Sequence, residues 1–304
     1  MHLKNHERLS PLIPLLTQLP TQQHNRLLTM TSTEKPTVVF IPGAWHLPEA
    51  FDAVCQILTT RGFPSTAVSL PSAGAESPTK NLSDDIFSAR LVVEKLVNEG
   101  KQVLVAAHSY GGLVASGAVK DLGYAQRRDA GLAGGVIMLV YMTAFPATKG
   151  TNVLDLLGGK PLPWMKFADV RCFLSKERER ERERISDPSQ DDYVYTTDAA
   201  NVFYNDLPPA EQEKWIAKLK PMSKHAFLEP ASYEPWHDLP CMYLLCELDQ
   251  ALPIAVQEMM AGILGEQPVS FRCAASHSPF LSVPDKVADA VELGAREGAK
   301  RSGI

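Results

Sequence analysis

Cysteine is scarce. The 304 residues hold five, Cys55, Cys172, Cys241, Cys246 and Cys273. An odd number without paired spacing makes a poor disulfide framework, and the absence of a Cys-x-x-Cys removes the usual zinc pattern. Buried, reduced thiols are expected, and a reducing, cytoplasmic compartment with them. A long apolar run is lacking as well. The longest uncharged stretch, Ala130 to Thr148, is broken by Gly131, Gly134, Gly135 and Pro146. Its β-rich centre, Val136 to Tyr141, has the length of a buried strand, not of a membrane span. There is no excess of positive charge: 30 Lys and Arg stand against 35 Asp and Glu, a net charge of −5. That balance argues against a nucleic-acid binder and against a basic membrane-facing surface. What is there, 45% hydrophobic and 21% charged residues, is the composition of a folded globular chain. The length suits one α/β core of about 250 residues or two smaller domains.

Residues 1–35 differ from the rest. Pro11, Pro14 and Pro20 interrupt them, and the one apolar piece, Leu12 to Leu16, is too short for a secretory signal. A disordered extension is expected. Lys4, Arg8 and Arg26 keep a mitochondrial presequence as a second reading, and Met30, just before the first regular segment, is an alternative initiator.

From Pro36 strands and helices alternate. Strands are expected at 37–41, 65–70, 102–106, 135–141, 241–246 and 268–273. Helices are expected at 48–60, 82–98, from Gly111 to about Leu122, at 254–264 and at 283–296. This alternation predicts an α/β protein with a mostly parallel sheet covered on both faces. The core spans 36–144 and 237–300. Residues 145–236, rich in Trp, Tyr, Pro and charge, break the rhythm and read as an inserted, mainly helical cap over the carboxyl ends of the strands, where open α/β sheets bind ligands. Within it the alternating Glu-Arg run at 177–184 has no apolar face and reads as a solvated, mobile insert.

The chemical signal is Val103-Leu-Val-Ala-Ala-His-Ser-Tyr-Gly-Gly112. A strand ends at a serine flanked by small residues and a helix begins, the context of a nucleophile elbow. Positions two before and two after the serine must be small, and here they are Ala107 and Gly111. The turn lifts the Ser109 hydroxyl above the sheet, facing the unpaired N–H groups of a helix start. Serine needs a base. Of eight histidines, His277 lies in the loop after the last strand, which opens at the same sheet edge as Ser109. His108 adjoins the serine but points elsewhere. An acid must orient the base: Asp249, after the preceding strand, is favoured, with Glu247 in reserve. An acyl-transfer site also needs oxyanion donors. The N–H of Tyr110 is one. The other is expected from the loop Pro42-Gly43-Ala44-Trp45-His46, at Ala44, or at Trp45 if the register differs by one.

With these pieces placed, the chain resembles the α/β-hydrolase superfamily, and within it the branch of plant methylesterases and hydroxynitrile lyases with their fungal and bacterial relatives. The motifs that carry the resemblance are Val38-Val-Phe-Ile-Pro-Gly-Ala-Trp45, His108-Ser-Tyr-Gly-Gly112, Leu248-Asp-Gln-Ala-Leu-Pro253 and Ser276-His-Ser-Pro279. It covers roughly residues 36–297 and implies the α/β-hydrolase fold. Three departures stand out. Ala107 replaces the first glycine of the elbow, Pro42-Gly43 replaces the usual His-Gly, and Ser278 stands where the lyases carry lysine. The last, together with Gly43 in place of their threonine, favours ester hydrolysis over carbon–carbon cleavage.

A serine hydrolase of a carboxylic ester or lactone is therefore expected, needing no metal or organic cofactor and taking a small-molecule substrate. A lyase or biosynthetic tailoring enzyme on the same fold is the second reading, and a non-catalytic small-molecule binder the third. Gly43, Trp45, His108, Phe145 and Trp164 are the candidate pocket residues. The aromatics among them, with Tyr110, Phe203 and Trp236, suggest an apolar or aromatic substrate, although a cap must bury aromatics in any case.

Overall fold

The computed structural model describes residues 34–167, 192–265 and 268–304. The expected extension up to residue 33, the run at 177–184 and Cys172 lie outside the described residues. The unit Lys35–Ile304 carries the strands β1 (Thr37–Ile41), β2 (Ser65–Ala67), β3 (Gln102–His108), β4 (Gly135–Met142), β5 (Met165–Phe167), β6 (Tyr193–Thr196), β7 (Met222–Ser223), β8 (Cys241–Cys246) and β9 (Val269–Cys273). Six of them form one sheet in the order β2-β1-β3-β4-β8-β9, every pair parallel.

Parallel strands covered on both faces have no solvent side, so their sequences need no polar alternation. TVVFI, GVIMLVYM and CMYLLC are accordingly buried from end to end. Side chains alternate between two cores. Val39, Val105 and Leu139 face one; Val38, Phe40, Leu104 and Met138 face the other. Each such side chain, fully buried, stabilises the fold by about 1.5–3 kcal/mol. The first core is covered by the helix Leu82–Asn98, whose buried face is Leu82, Asp85, Ala89, Val93 and Val97. Asn81 and Asp84 close its N-terminus as a capping box, which satisfies two otherwise unpaired N–H groups. The second core is covered by the helices Asp52–Thr60 and Pro284–Ser302.

The chain runs from β1 outward to β2 and then returns to place β3 on the other side of β1. The strand order thus reverses between β1 and β3. Helices feed away on opposite sides there, and a crevice opens at the carboxyl ends of those two strands. Gly43 and Ser109 follow β1 and β3 and flank it.

Several boundaries differ from the sequence expectation. The second strand stops at Ala67, ahead of the turn at Pro71. The Pro48 segment is a 3-10 turn, Pro48–Phe51, before its helix begins. The helix after the serine, Gly111–Ala118, ends before Leu122. The last helix runs on to Ser302, where Gly303 closes it in the left-handed region at φ 73°. The described part of the insertion combines short helices, among them Ala199–Phe203 and Pro209–Ile216, with an antiparallel sheet β5-β6-β7 that a mainly helical expectation did not include. Cys241, Cys246 and Cys273 are buried free thiols and Cys55 is half-buried.

Candidate active site

Ser109 sits at φ 51°, in the left-handed region, a conformation non-glycine residues adopt only when their surroundings hold them there. Here three backbone bonds do so. Ser109 N–H donates to the Met142 carbonyl at 3.2 Å, and its own carbonyl accepts from Gly112 at 3.0 Å and Phe145 at 3.2 Å. The glycines that follow are steric necessities. A Cβ on Gly111 would stand 2.5 Å from the Pro42 carbonyl oxygen, and one on Gly112 would stand 2.6 Å from that of Phe145. The helix start can therefore press against the ends of β1 and β4 only without side chains there.

His277 lies in the loop after β9 and is 2% exposed. Its Nδ1 is 2.8 Å from Asp249 Oδ2. A carboxylate only accepts, so Nδ1 carries the proton and Nε2 presents a lone pair. Asp249 is itself held from three sides. Oδ1 accepts the N–H groups of Ala251 and Leu252 at 2.7 and 2.8 Å, and Oδ2 accepts the Gln257 amide at 3.3 Å. Gln257 also bonds the Cys246 backbone at both its amide and its carbonyl, locking the carboxylate to the end of β8. Glu247, the reserve acid, faces the surface, 3.8 Å from Arg272.

Ser109, His277, Ala44, Trp45, Tyr110, Phe145 and Trp164 line one cavity of about 20 Å³. Gly43 and His108 stand behind it. A Cβ on Gly43 would meet His108 Nδ1 at 2.6 Å and Ser109 Cβ at 2.8 Å, so this position too admits only glycine. His108 Nε2 donates to the His277 carbonyl at 2.8 Å. Burial drives the His108 ring well below the ordinary histidine pKa, helped by the His277 and His46 rings nearby, so it is neutral with one donor and one acceptor. The donor is spent on His277, and Nδ1 has no partner among the described residues.

Sequence reasoning missed four supporting groups. His46, buried and lowered to about pKa 4 mainly by desolvation, donates from Nδ1 to the Ala44 carbonyl at 2.9 Å and accepts the Tyr204 hydroxyl at Nε2, also at 2.9 Å. It thereby fixes the Ala44–Trp45 peptide, the next along the chain from the one whose N–H is the candidate oxyanion donor. Asp85 is fully buried. It accepts the Tyr110 hydroxyl at 2.7 Å and both the N–H and the hydroxyl of Ser72, at 2.9 and 2.5 Å. Burial raises its pKa against the pull of those bonds. Tyr204 and Gln257 complete the set. The available signal was a polar residue on an apolar helix face, as at Asp85 and Gln257.

A parallel sheet with its order reversed between β1 and β3, a serine on a strained strand-to-helix turn at that switch point, and a histidine–aspartate pair delivered by the last two strand-to-helix loops define the α/β hydrolases. The chain belongs to this family: the alpha/beta hydrolase family matches residues 38–290. Among its relatives is the alpha/beta hydrolase nvfD of Aspergillus novofumigatus, 29% identical over 264 residues, covering 86% of this chain and 98% of that protein. The pyrethroid hydrolase of Sphingobium wenxiniae is 26% identical over 274 residues, covering 86% and 87%. Among solved structures, the methylesterase protein MES16 from Arabidopsis superimposes with a TM-score of 0.63 at 17% identity, covering 86% of this chain and 99% of that one. The resemblance to plant methylesterases and fungal hydrolases thus holds for the fold.

Proposed function

We propose that the protein is a serine hydrolase that cleaves a carboxylic ester or lactone of a small, apolar or aromatic molecule through an acyl-enzyme. The observation that carries this reading is the 2.8 Å bond from His277 Nδ1 to Asp249, which turns the basic Nε2 of a buried imidazole to the side of the ring away from Asp249. His277 and Ser109 border the same cavity. Names of relatives add support, since one is called a pyrethroid hydrolase and another a methylesterase. The apolar lining, with Phe145, Leu162 and Trp164, suits an apolar group.

In this reading His277 Nε2 takes the Ser109 hydroxyl proton as the oxygen attacks the carbonyl carbon. The carbonyl electron pair moves onto its oxygen, which the N–H groups of Ala44 and Tyr110 stabilise. Such donors act where charge develops and contribute roughly 3–4 kcal/mol each to the barrier in acyl transfer. Asp249 keeps the proton of His277 on Nδ1 and stabilises the imidazolium. Collapse expels the alkoxide, which takes the proton from His277 Nε2 and leaves as the alcohol. Water, deprotonated by the same nitrogen, then attacks the acyl carbon; the bond to Ser109 Oγ breaks as His277 Nε2 returns the proton to that oxygen, and the acid leaves. His108 holds the His277 backbone, and His46 holds the Ala44 carbonyl.

A panel of aryl and alkyl esters and lactones tests this reading. The native chain should hydrolyse members of the panel, and Ser109→Ala should lower turnover by several orders of magnitude, as breaking a serine–histidine–aspartate unit does. Ester hydrolysis surviving in that variant would refute the mechanism. A panel untouched by the native chain would refute the function.

A further inference from the structure

The cavity beside Ser109 is too small to enclose the bulky part of an ester while the surrounding side chains stay where they are. Its volume of about 20 Å³ accommodates roughly one water, while sites for small molecules run to about 300 Å³ or more. A second concavity of that larger size, about 340 Å³, lies in the insertion. Its walls come from β6 and the turn after it, Tyr195 to Ala200, and from the segment Ile216 to Pro221. Among the described residues, Trp45 is the one that lines both spaces.

Trp45 is set as a partition. Its backbone has φ 66°, a left-handed conformation that a bulky side chain rarely adopts, and this turns the indole out of the oxyanion loop toward the insertion. Two bonds tie it there: Nε1 donates to the Val194 carbonyl on β6 at 2.8 Å, and the Trp45 carbonyl accepts the Lys220 N–H at 3.0 Å. The ring packs against Phe203 and Phe227 at centroid distances of 5.7 and 5.6 Å, and edge-on against Trp164 at 5.8 Å. It is 4% exposed. The insertion thus grips, by one indole bond and one backbone bond, a residue adjacent to the candidate oxyanion donor Ala44.

We propose that Trp45 is the specificity-determining partition of this site, and that the 340 Å³ concavity behind it is the subsite for the bulky apolar portion of an ester whose carbonyl lies at Ser109. This rests on the hydrolase reading above. The indole sets how large a group can extend from the serine, because no ester can use the larger space until that ring yields. The groove also offers polar contacts at its edge from Thr197, Asp198 and Lys220, so the group it takes is apolar in its body and tolerates a polar tip.

The test is the ratio of kcat/KM for 4-nitrophenyl octanoate to that for 4-nitrophenyl acetate. Trp45→Gly removes the ring and accepts the φ of 66° without strain, so the loop carrying Ala44 keeps its path. Its ratio should rise by at least about tenfold, the scale on which a few methylenes in an apolar pocket discriminate. Trp45→Phe, a smaller ring without the Nε1 donor, should fall between. Ala200 lines only the outer space, and adding Ala200→Trp to Trp45→Gly should refill it and return the ratio toward the native value. A ratio that stays fixed in both Trp45→Gly and Trp45→Phe, with acetate still hydrolysed, overturns the partition alone. A rise in Trp45→Gly that Ala200→Trp leaves intact overturns the subsite. If the native chain hydrolyses neither ester, the hydrolase reading falls and the partition falls with it.

Discussion

His108 Nε2 donates to the backbone carbonyl of His277 across 2.8 Å, so the residue before the candidate nucleophile holds the residue that is to serve it. The bond joins the end of β3 to the loop after β9, and among the described residues the His277 carbonyl has one other donor in reach, Thr143 Oγ1 at 3.4 Å. His108→Phe keeps the volume of the ring and removes the donor. Turnover should fall by about a hundredfold with little change in KM, the cost of misplacing a reacting group by an ångström or so. Stability should fall by about 1–3 kcal/mol, the cost of an unsatisfied buried carbonyl. Steady-state kinetics and a urea melt read the two effects. An unchanged kcat would show that His108 positions nothing.

Asp249 and Glu247 are separated sharply by their surroundings. Asp249→Asn should lower kcat by roughly four orders of magnitude, because an amide can stabilise the wrong tautomer of His277 and not its cation. Glu247→Gln should cost less than about twofold, since its carboxylate sits on the surface beside Arg272 and exposed pairs contribute little. Equal losses in both variants would contradict the assignment of the acid.

The close approach of Gly111 to β1 makes a strong steric forecast. Gly111→Ala places a Cβ 2.5 Å from one backbone oxygen and 2.7 Å from another. Backbone cannot rotate away as a side chain can, so overpacking should cost about 1–3 kcal/mol or more. Gly150, at φ 90° with nothing near its Cβ position, is the control for strain without crowding. A melt in which Gly111→Ala matches the native protein would contradict the elbow geometry.

His46 gives the protein a built-in sensitivity to acid. Its pKa is about 4 in the fold against 6.5 when free, so the unfolded chain binds the proton more readily. The stability tied to the neutral ring is complete above pH 6.5 and is lost as pH falls from there toward 4. At pH 5 the loss should be about 2 kcal/mol. His108, lowered in the same direction, adds to it. Urea melts at pH 7 and pH 5 measure the difference, and His46→Gln should narrow it. A protein equally stable at both values would contradict the burial of these rings.

The main sheet was legible because its strands are long, apolar and set between glycines and prolines, and because alternation with helices implies parallel pairing. Ser109, Asp249 and His277 were legible because each follows a strand, and a parallel sheet puts all such loops at one edge. The antiparallel sheet of the insertion was not, since β5, β6 and β7 have three, four and two residues, too few for any period to register. Nor were the contacts from His46 to Tyr204 and from Asp85 to Tyr110. Those pairs are 158 and 25 residues apart, and nothing in either local sequence says which partner it meets. Asp85 in particular looks like a first-turn carboxylate at a helix start, the role Asp84 takes through the capping box. Packing of its helix against the elbow instead buries it under Tyr110.

The most direct measurement is the intact mass of the protein after incubation with a fluorophosphonate, followed by peptide mapping. A single adduct on Ser109, absent in Ser109→Ala and strongly slowed in His277→Ala, is the expected result. No adduct on the native chain, or one on a different residue, would contradict an activated serine at this site.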